Sequence, residues 1–138
     1  MVKFIYEVLE EVSKKKTKSE KVAVLKQNES WALKDIIRGS IDSKVIWNLP
    51  GGEPPYTPSE EHNAPTNLLK ENTKFKYFVK GGPGDKLGAL KRENLFIGLI
   101  ESIHPTDAKL VVDMINKVKP KYLTRPIVQE AFPGLLKD

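Results

Sequence analysis

The residues of this chain whose types and spacing could do chemistry are cations and glycines. Lys80 to Arg92 reads "KGGPGDKLGALKR". A glycine-rich turn at a helix start presents backbone N–H groups and the positive end of the helix dipole, and both favour an anion. Lys80, Gly82, Gly84, Lys86, Lys91 and Arg92 are therefore candidate phosphate contacts. The stretch lacks the Gly-Lys-Ser/Thr of a nucleotide-binding loop, so a DNA phosphate is the anion expected there. Its plainer reading is a helix stop, a turn and a helix start.

Two further basic stretches invite the same question. "SKKKTKSEK", Ser13 to Lys21, places Lys14, Lys15, Lys16 and Lys18 in a turn between helices. Such a run is either a solvated surface or a source of salt-sensitive, sequence-blind affinity for DNA. "KVKPKYLTRP", Lys117 to Pro126, brings Lys117, Lys119, Lys121 and Arg125 to a helix start where Thr124 offers a hydroxyl.

Catalytic groupings are harder to find. Glu10-Glu11 and Glu60-Glu61 are sequence neighbours, which point different ways on a helix. His62 falls in an acidic loop, and His104 precedes a proline at a helix boundary, a position that suits a cap. The expectation is a protein without catalytic residues, metal or cofactor. With no cysteine, disulfide scaffolds and zinc ribbons are excluded.

The elements that must position these residues are helices. The 138 residues suit one domain spanning 1–138. No apolar run reaches the length of a membrane span, and the acidic, amphipathic start does not suit a secretion signal. The cytoplasm is the expected location; a monomer is expected. The net charge is +5, and basic charge is concentrated in two blocks. Residues 1–47 carry 10 Lys/Arg against 7 Asp/Glu, and residues 74–98 carry 6 against 2. Between them, residues 48–73 carry 1 against 4.

Helical spacing predicts a first helix over residues 2–13 that buries Phe4, Ile5, Val8, Leu9 and Val12. A second follows a Thr17 or Ser19 cap and buries Val22 and Leu25. A third starts at Ser30 and buries Trp31, Leu33, Ile36 and Ile37, with Gly39 ending or weakening it. "NLPGGEPPYTPSEEHNAPT", Asn48 to Thr66, holds five prolines and two glycines, which excludes a regular element and leaves an extended acidic loop. After it, Thr66 is expected to cap a helix burying Phe75, Phe78 and Val79. The next helix is expected to crowd Leu87, Leu90, Leu95, Ile97, Leu99 and Ile100 into the core. Another buries Leu110, Val111, Met114, Ile115 and Val118. The last is capped by Thr124, with Pro126 in the first turn, where proline is tolerated. The fold class is therefore all-α, a single bundle of six to seven helices with one long Pro-rich loop.

Three stretches together resemble the N-terminal, all-helical DNA-binding domain of ATP-dependent DNA ligases, most nearly the T4-type phage ligases. They are "FIYEVLEEVSKKKTKSEKVAVLKQNES" (Phe4 to Ser30), "YFVKGGPGDKLGALKRENLFIGLI" (Tyr77 to Ile100) and "DAKLVVDMINKVKPKYLTRPIVQEAFPGLL" (Asp107 to Leu136). The resemblance implies a module that grips double-stranded DNA through its phosphate backbone and minor groove. It would place Lys14 to Lys18, the Gly81-Gly82-Pro83-Gly84 turn with Lys86, and Lys121 to Arg125 near the DNA. Tyr122 stands where the family has a glycine before its last helix, which alters that contact. The ligase family's Lys-x-Asp-Gly setting is absent: Lys34-Asp35 is followed by Ile36. The chain is thus expected to be a non-catalytic duplex or nicked DNA-binding phage protein, a finished module lacking the catalytic half. The alternatives are an adaptor docking a phage replication or repair protein, such as a clamp, through residues 52–64 or the closing Gly-Leu-Leu-Lys-Asp, and a virion-associated structural protein.

Overall fold

A computed structural model describes residues 3–120 and 122–138. Among them are seven α-helices: α1 (Ile5–Lys14), α2 (Lys18–Gln27), α3 (Trp31–Ile41), α4 (Leu68–Glu71), α5 (Ala89–Ser102), α6 (Pro105–Ile115) and α7 (Arg125–Ala131). Two 3-10 helices, Asn72–Tyr77 and Pro83–Lys86, complete the set. The chain is all-helical, as expected. The one pairing of extended backbone among the described residues is an antiparallel bridge between Trp47 and Val79.

Local chemistry explains most boundaries. Thr17 caps α2 by accepting the Glu20 N–H at 3.2 Å, and Ser30 caps α3 by accepting the Leu33 N–H at 3.1 Å. Glu7 accepts the Phe4 N–H at 2.9 Å at the start of α1. His104 is the cap of α6, its Nδ1 accepting the Thr106 N–H at 3.0 Å ahead of Pro105 in the first turn. The end of α6 is a Schellman turn: the Lys117 N–H bonds the Met114 carbonyl and the Val118 N–H the Asp113 carbonyl. Lys117 holds φ +58° there, and its Nζ donates to the Asp42 carbonyl at 2.7 Å.

The helices pack in two neighbourhoods that share α1 and α6. α1 packs on α2 and α6, α2 lies along α7, α3 lies along α6, and α5 closes against α6. The core is continuous, from Leu9, Val12 and Leu25 through Leu33 and Ile37 to Ile100, Val111, Met114 and Val128, all nearly or fully buried. Burial of this apolar surface, at roughly 25 cal/mol per Å², is the main stabilising term.

Several expectations need correction. Trp31 is 74% exposed rather than in the core, because it opens α3 on the solvent side. Leu90 and Leu95 lie on the outer face of α5, Leu90 at 72% exposure, and Val118 is exposed beyond the end of α6. Phe4 is also exposed and stacks on Tyr6 and His104 at the rim. Gly39 does not end α3, which runs on to Ile41. An added Cβ at Gly39 would stand 2.5 Å from the Trp47 ring and 2.8 Å from Met114 Sδ, so glycine is there for close packing. The helix expected after Thr66 is a single α-turn capped by Asn67, continued by the 3-10 turn Asn72–Tyr77. Thr66 instead donates its N–H to the Ser102 carbonyl. Thr124 makes no side-chain cap on α7.

The Asn48 to Thr66 loop has no regular element, and it is tied down. Asn116 exchanges hydrogen bonds with the backbone of Gly52 at 2.7 and 3.0 Å. The Thr57 N–H reaches Glu101 at 2.8 Å, Ser59 bonds the Glu101 carbonyl, and Tyr56 packs against the core.

One buried carboxylate gives a stability prediction. Asp107 accepts the Tyr6 N–H at 2.9 Å beside His104. Burial pushes its pKa up from 3.8 to about 6; the Tyr6 N–H and the nearby His104 oppose the shift, and Glu7 adds to it. A folded-state pKa above the unfolded one means that the protonated form is favoured by folding. The contribution is fully present below pH ~4 and is lost as pH rises through 6, amounting to about 3 kcal/mol. Asp107→Asn keeps an acceptor for Tyr6 and removes the charge. Urea melts from pH 4 to pH 8 should show the parent losing stability relative to this variant as pH rises. Parallel curves would refute the assignment.

Candidate nucleic-acid interface

An open groove of 940 Å³ lies between α3 on one wall and the 3-10 turn Asn72–Tyr77 with the Val79–Pro83 turn on the other. Gly39, Trp47 and Phe75 form its apolar floor. The Trp47 indole donates to the Gly39 carbonyl at 3.0 Å and meets the Phe75 ring edge-on at 6.2 Å. The bridge from Trp47 to Val79 joins the floor to the far wall: the Lys80 N–H bonds the Ile46 carbonyl and the Asn48 N–H the Phe78 carbonyl, both at 2.7 Å.

Four cations line this groove, Arg38, Lys44, Lys76 and Lys80, against one carboxylate, Asp35. Arg38 is shared with Asp42 at 3.4 Å. Lys44, Lys76 and Lys80 are exposed and have no ion-pair partner among the described residues. Asp35 accepts from the Asn72 amide at 2.9 Å, a bond that ties the two walls together. Burial raises the pKa of Asp35, with Asn72 and Arg38 opposing the shift.

The residues expected from sequence to contact phosphate are dispersed around this site. Lys80 and Gly82 line the groove. Lys14, Lys15, Lys16 and Lys18 form the α1–α2 turn, and Lys18 stands 4.0 Å from Glu130 of α7; none of the four lines the groove. Lys119 borders a separate cavity of 200 Å³ with Tyr122, between α3 and α6. Tyr122 is half-buried against the core, and burial raises its hydroxyl pKa. Lys91 borders a shallow depression on α5 with Leu90 and Leu95, and Lys86 is exposed at the end of its 3-10 turn. Lys121 lies outside the described residues.

Two cations and the glycine turn are engaged by the protein itself. Arg92 donates from Nε to the Asn48 carbonyl at 2.8 Å and from Nη1 to the carbonyls of Leu87 and Gly84 at 3.0 and 3.2 Å. Arg125 forks onto Asp138, whose other contacts are the N–H and hydroxyl of Ser43. In the glycine turn, Asp85 accepts the Gly81 N–H at 2.7 Å and the Asn48 amide at 3.2 Å, so an internal carboxylate sits where an external anion was expected. Gly84 is glycine because its Cα rests against the Tyr77 backbone, and an added Cβ would lie 1.7 Å from the Tyr77 carbonyl oxygen.

Sequence reasoning missed Arg38, Lys44 and Lys76, which lie outside Ser13–Lys21, Lys80–Arg92 and Lys117–Pro126. A signal existed in "KFKYFVKGG", where Lys74, Lys76 and Lys80 alternate with Phe75, Tyr77 and Phe78, a basic stretch with interleaved aromatics.

Fold and site together define an all-helical protein with an open cationic groove, and no described helix is long and apolar enough to cross a membrane. The chain belongs to a family of unknown function, DUF6433, whose family model matches residues 8–121. No curated protein and no solved structure matches the chain.

Proposed function

We propose that this protein is a non-catalytic DNA-binding module and that its contact face is the groove between α3 and the Val79–Pro83 turn. The observation that carries the reading is the set of three lysines, Lys44, Lys76 and Lys80, exposed and without ion-pair partners among the described residues, around a concavity that holds one acid. Cations spaced along a groove neutralise successive phosphates and release counterions. The resemblance to the ligase DNA-binding domain supports the same ligand. The role is an accessory one in phage DNA replication or repair.

The test is binding to labelled intact duplex, nicked duplex and single strand at ~50 and ~200 mM salt. Three neutralised phosphates predict about a 40-fold loss on duplex across that range, and four about 150-fold. No binding at the lower salt, or binding indifferent to salt, would overturn the reading.

A second reading, an adaptor for a replication or repair protein, is favoured by one observation. Leu90 and Leu95 form an exposed apolar pair on α5, and neither lines the groove. Loss of a captured partner on changing Leu90 and Leu95 to serine, with DNA binding intact, would support it.

A further inference from the structure

Trp31 stands at the groove's rim as the first residue of α3, and it is 74% exposed. Tryptophan is highly buried on average, so an indole this open stands out. Its position is fixed: Ser30 caps the helix at that point, and Lys34, one turn on, holds its Nζ 4.9 Å over the indole while bonding Glu29. A ring braced by a cation, with most of its surface in solvent, is a stacking platform.

The cation of the α3 wall, Arg38, is shared with Asp42, so the unpaired charges of the groove differ by side. Lys76 and Lys80 belong to the wall opposite α3. Asp35, four residues after Trp31, is on the same wall of α3 as the indole. A phosphate chain is attracted to the lysine wall and repelled from Asp35, while a base edge carrying N–H donors is compatible with a carboxylate. Backbone on one wall and base on the other is the arrangement of an unpaired strand. In a duplex the bases are stacked inside and have no free face for Trp31.

We infer that the groove takes single-stranded DNA, with an unpaired base stacked on Trp31 and the adjoining phosphates on Lys76, Lys80 and Lys44. This deepens the proposed function and rests on it: the site is the same, and the ligand becomes DNA with at least one unpaired nucleotide, as in a single strand, a gap or a frayed nick.

The experiment compares an oligothymidylate of about twelve nucleotides, a strand of the same length carrying abasic sites, and a blunt duplex, at low salt. Binding is read by anisotropy and by tryptophan fluorescence. The chain holds two tryptophans and both line the groove, so the part of the quenching that is lost in Trp31→Phe is the part that reports on Trp31. Oligothymidylate should quench the fluorescence and bind tightest. Trp31→Ala should weaken it about tenfold or more, while Trp31→Phe, which keeps a stacking ring, retains most of the affinity. Both substitutions are at an exposed position and leave the fold intact. The abasic strand should bind weakly and equally to parent and Trp31→Ala. If the abasic strand binds as tightly as oligothymidylate, or if Trp31→Ala leaves single-strand binding unchanged, the inference is overturned and the DNA-binding reading stands. If none of the three DNAs binds, both fall.

Discussion

Changing Lys44, Lys76 and Lys80 together to glutamate should cost at least a hundredfold in DNA affinity at ~100 mM salt. Each substitution removes a phosphate contact and installs a repulsion, and the slope of affinity against salt should flatten accordingly. The three side chains are exposed and unpaired among the described residues, so the substitutions break no ion pair that the fold uses. The comparison that gives the result meaning is Lys14, Lys15 and Lys16 changed to glutamate. That variant makes the same change in net charge on a turn that lines no part of the groove. It should lose no more than about tenfold, the share owed to long-range attraction. Equal losses in the two variants would mean that binding follows total charge, and the groove would have no claim as the site. A larger loss in the turn variant would move the interface to the α1–α2 turn, where the ligase resemblance implies contact.

The second large effect is on stability. Gly84→Ala places a methyl 1.7 Å from the Tyr77 carbonyl oxygen and 2.4 Å from its carbonyl carbon. Both are backbone atoms, so no side chain can swing aside. The two 3-10 turns must separate, which also pulls the Gly84 carbonyl from Arg92. Overpacking typically costs 1–3 kcal/mol, and a clash with backbone lies at or above the top of that range. Since whole domains are stable by about 5–15 kcal/mol, Gly84→Ala should lower the midpoint by roughly 10 °C or prevent folding. Gly98→Ala is the matched control. Gly98 lies inside α5 with nothing within 4 Å of an added Cβ, so alanine there should stabilise by about 0.5–1 kcal/mol through helix propensity. Thermal melts of the two variants should therefore move in opposite directions. A Gly84→Ala melt that coincides with the parent would refute the close contact.

How much of this was legible in the sequence depends on what each signal measures. Periodicity finds apolar stripes, and it located α1, α3, α5 and α6 because Val8, Leu9 and Val12, or Val111 and Met114, recur at helical spacing, whereas α2 and α7 show through the helix-start residues Thr17 and Thr124-Arg125-Pro126. It cannot distinguish an apolar residue that faces the core from one at a helix end that faces outward. Trp31 and Leu90 were therefore assigned to the core, although each sits in the first turn of its helix on the open side. Runs of lysine drew attention to residues 14–18, yet a groove gathers its cations from elements distant in sequence. Arg38, Lys44, Lys76 and Lys80 span 43 positions and become neighbours only when Trp47 pairs with Val79. The glycine turn shows the opposite case. Its residues are visible, Asp85 among them, but only geometry reveals that its carboxylate takes the Gly81 N–H.

Arg92 sets a property of the groove that its own charge does not convey. The guanidinium is bonded to Asn48, Gly84 and Leu87, which joins the end of the floor segment to both ends of the turn behind the lysine wall. The Trp47–Val79 bridge and the Asp35–Asn72 bond fasten the same wall at two other points. A wall held at three places has little conformational entropy left to lose when a ligand arrives. Interfaces that must order a loop surrender part of their contact energy to that ordering. Here the ordering of the backbone is accomplished during folding, so the ordering left for a groove ligand to impose would be that of the exposed lysine side chains, about 0.5–1.5 kcal/mol each.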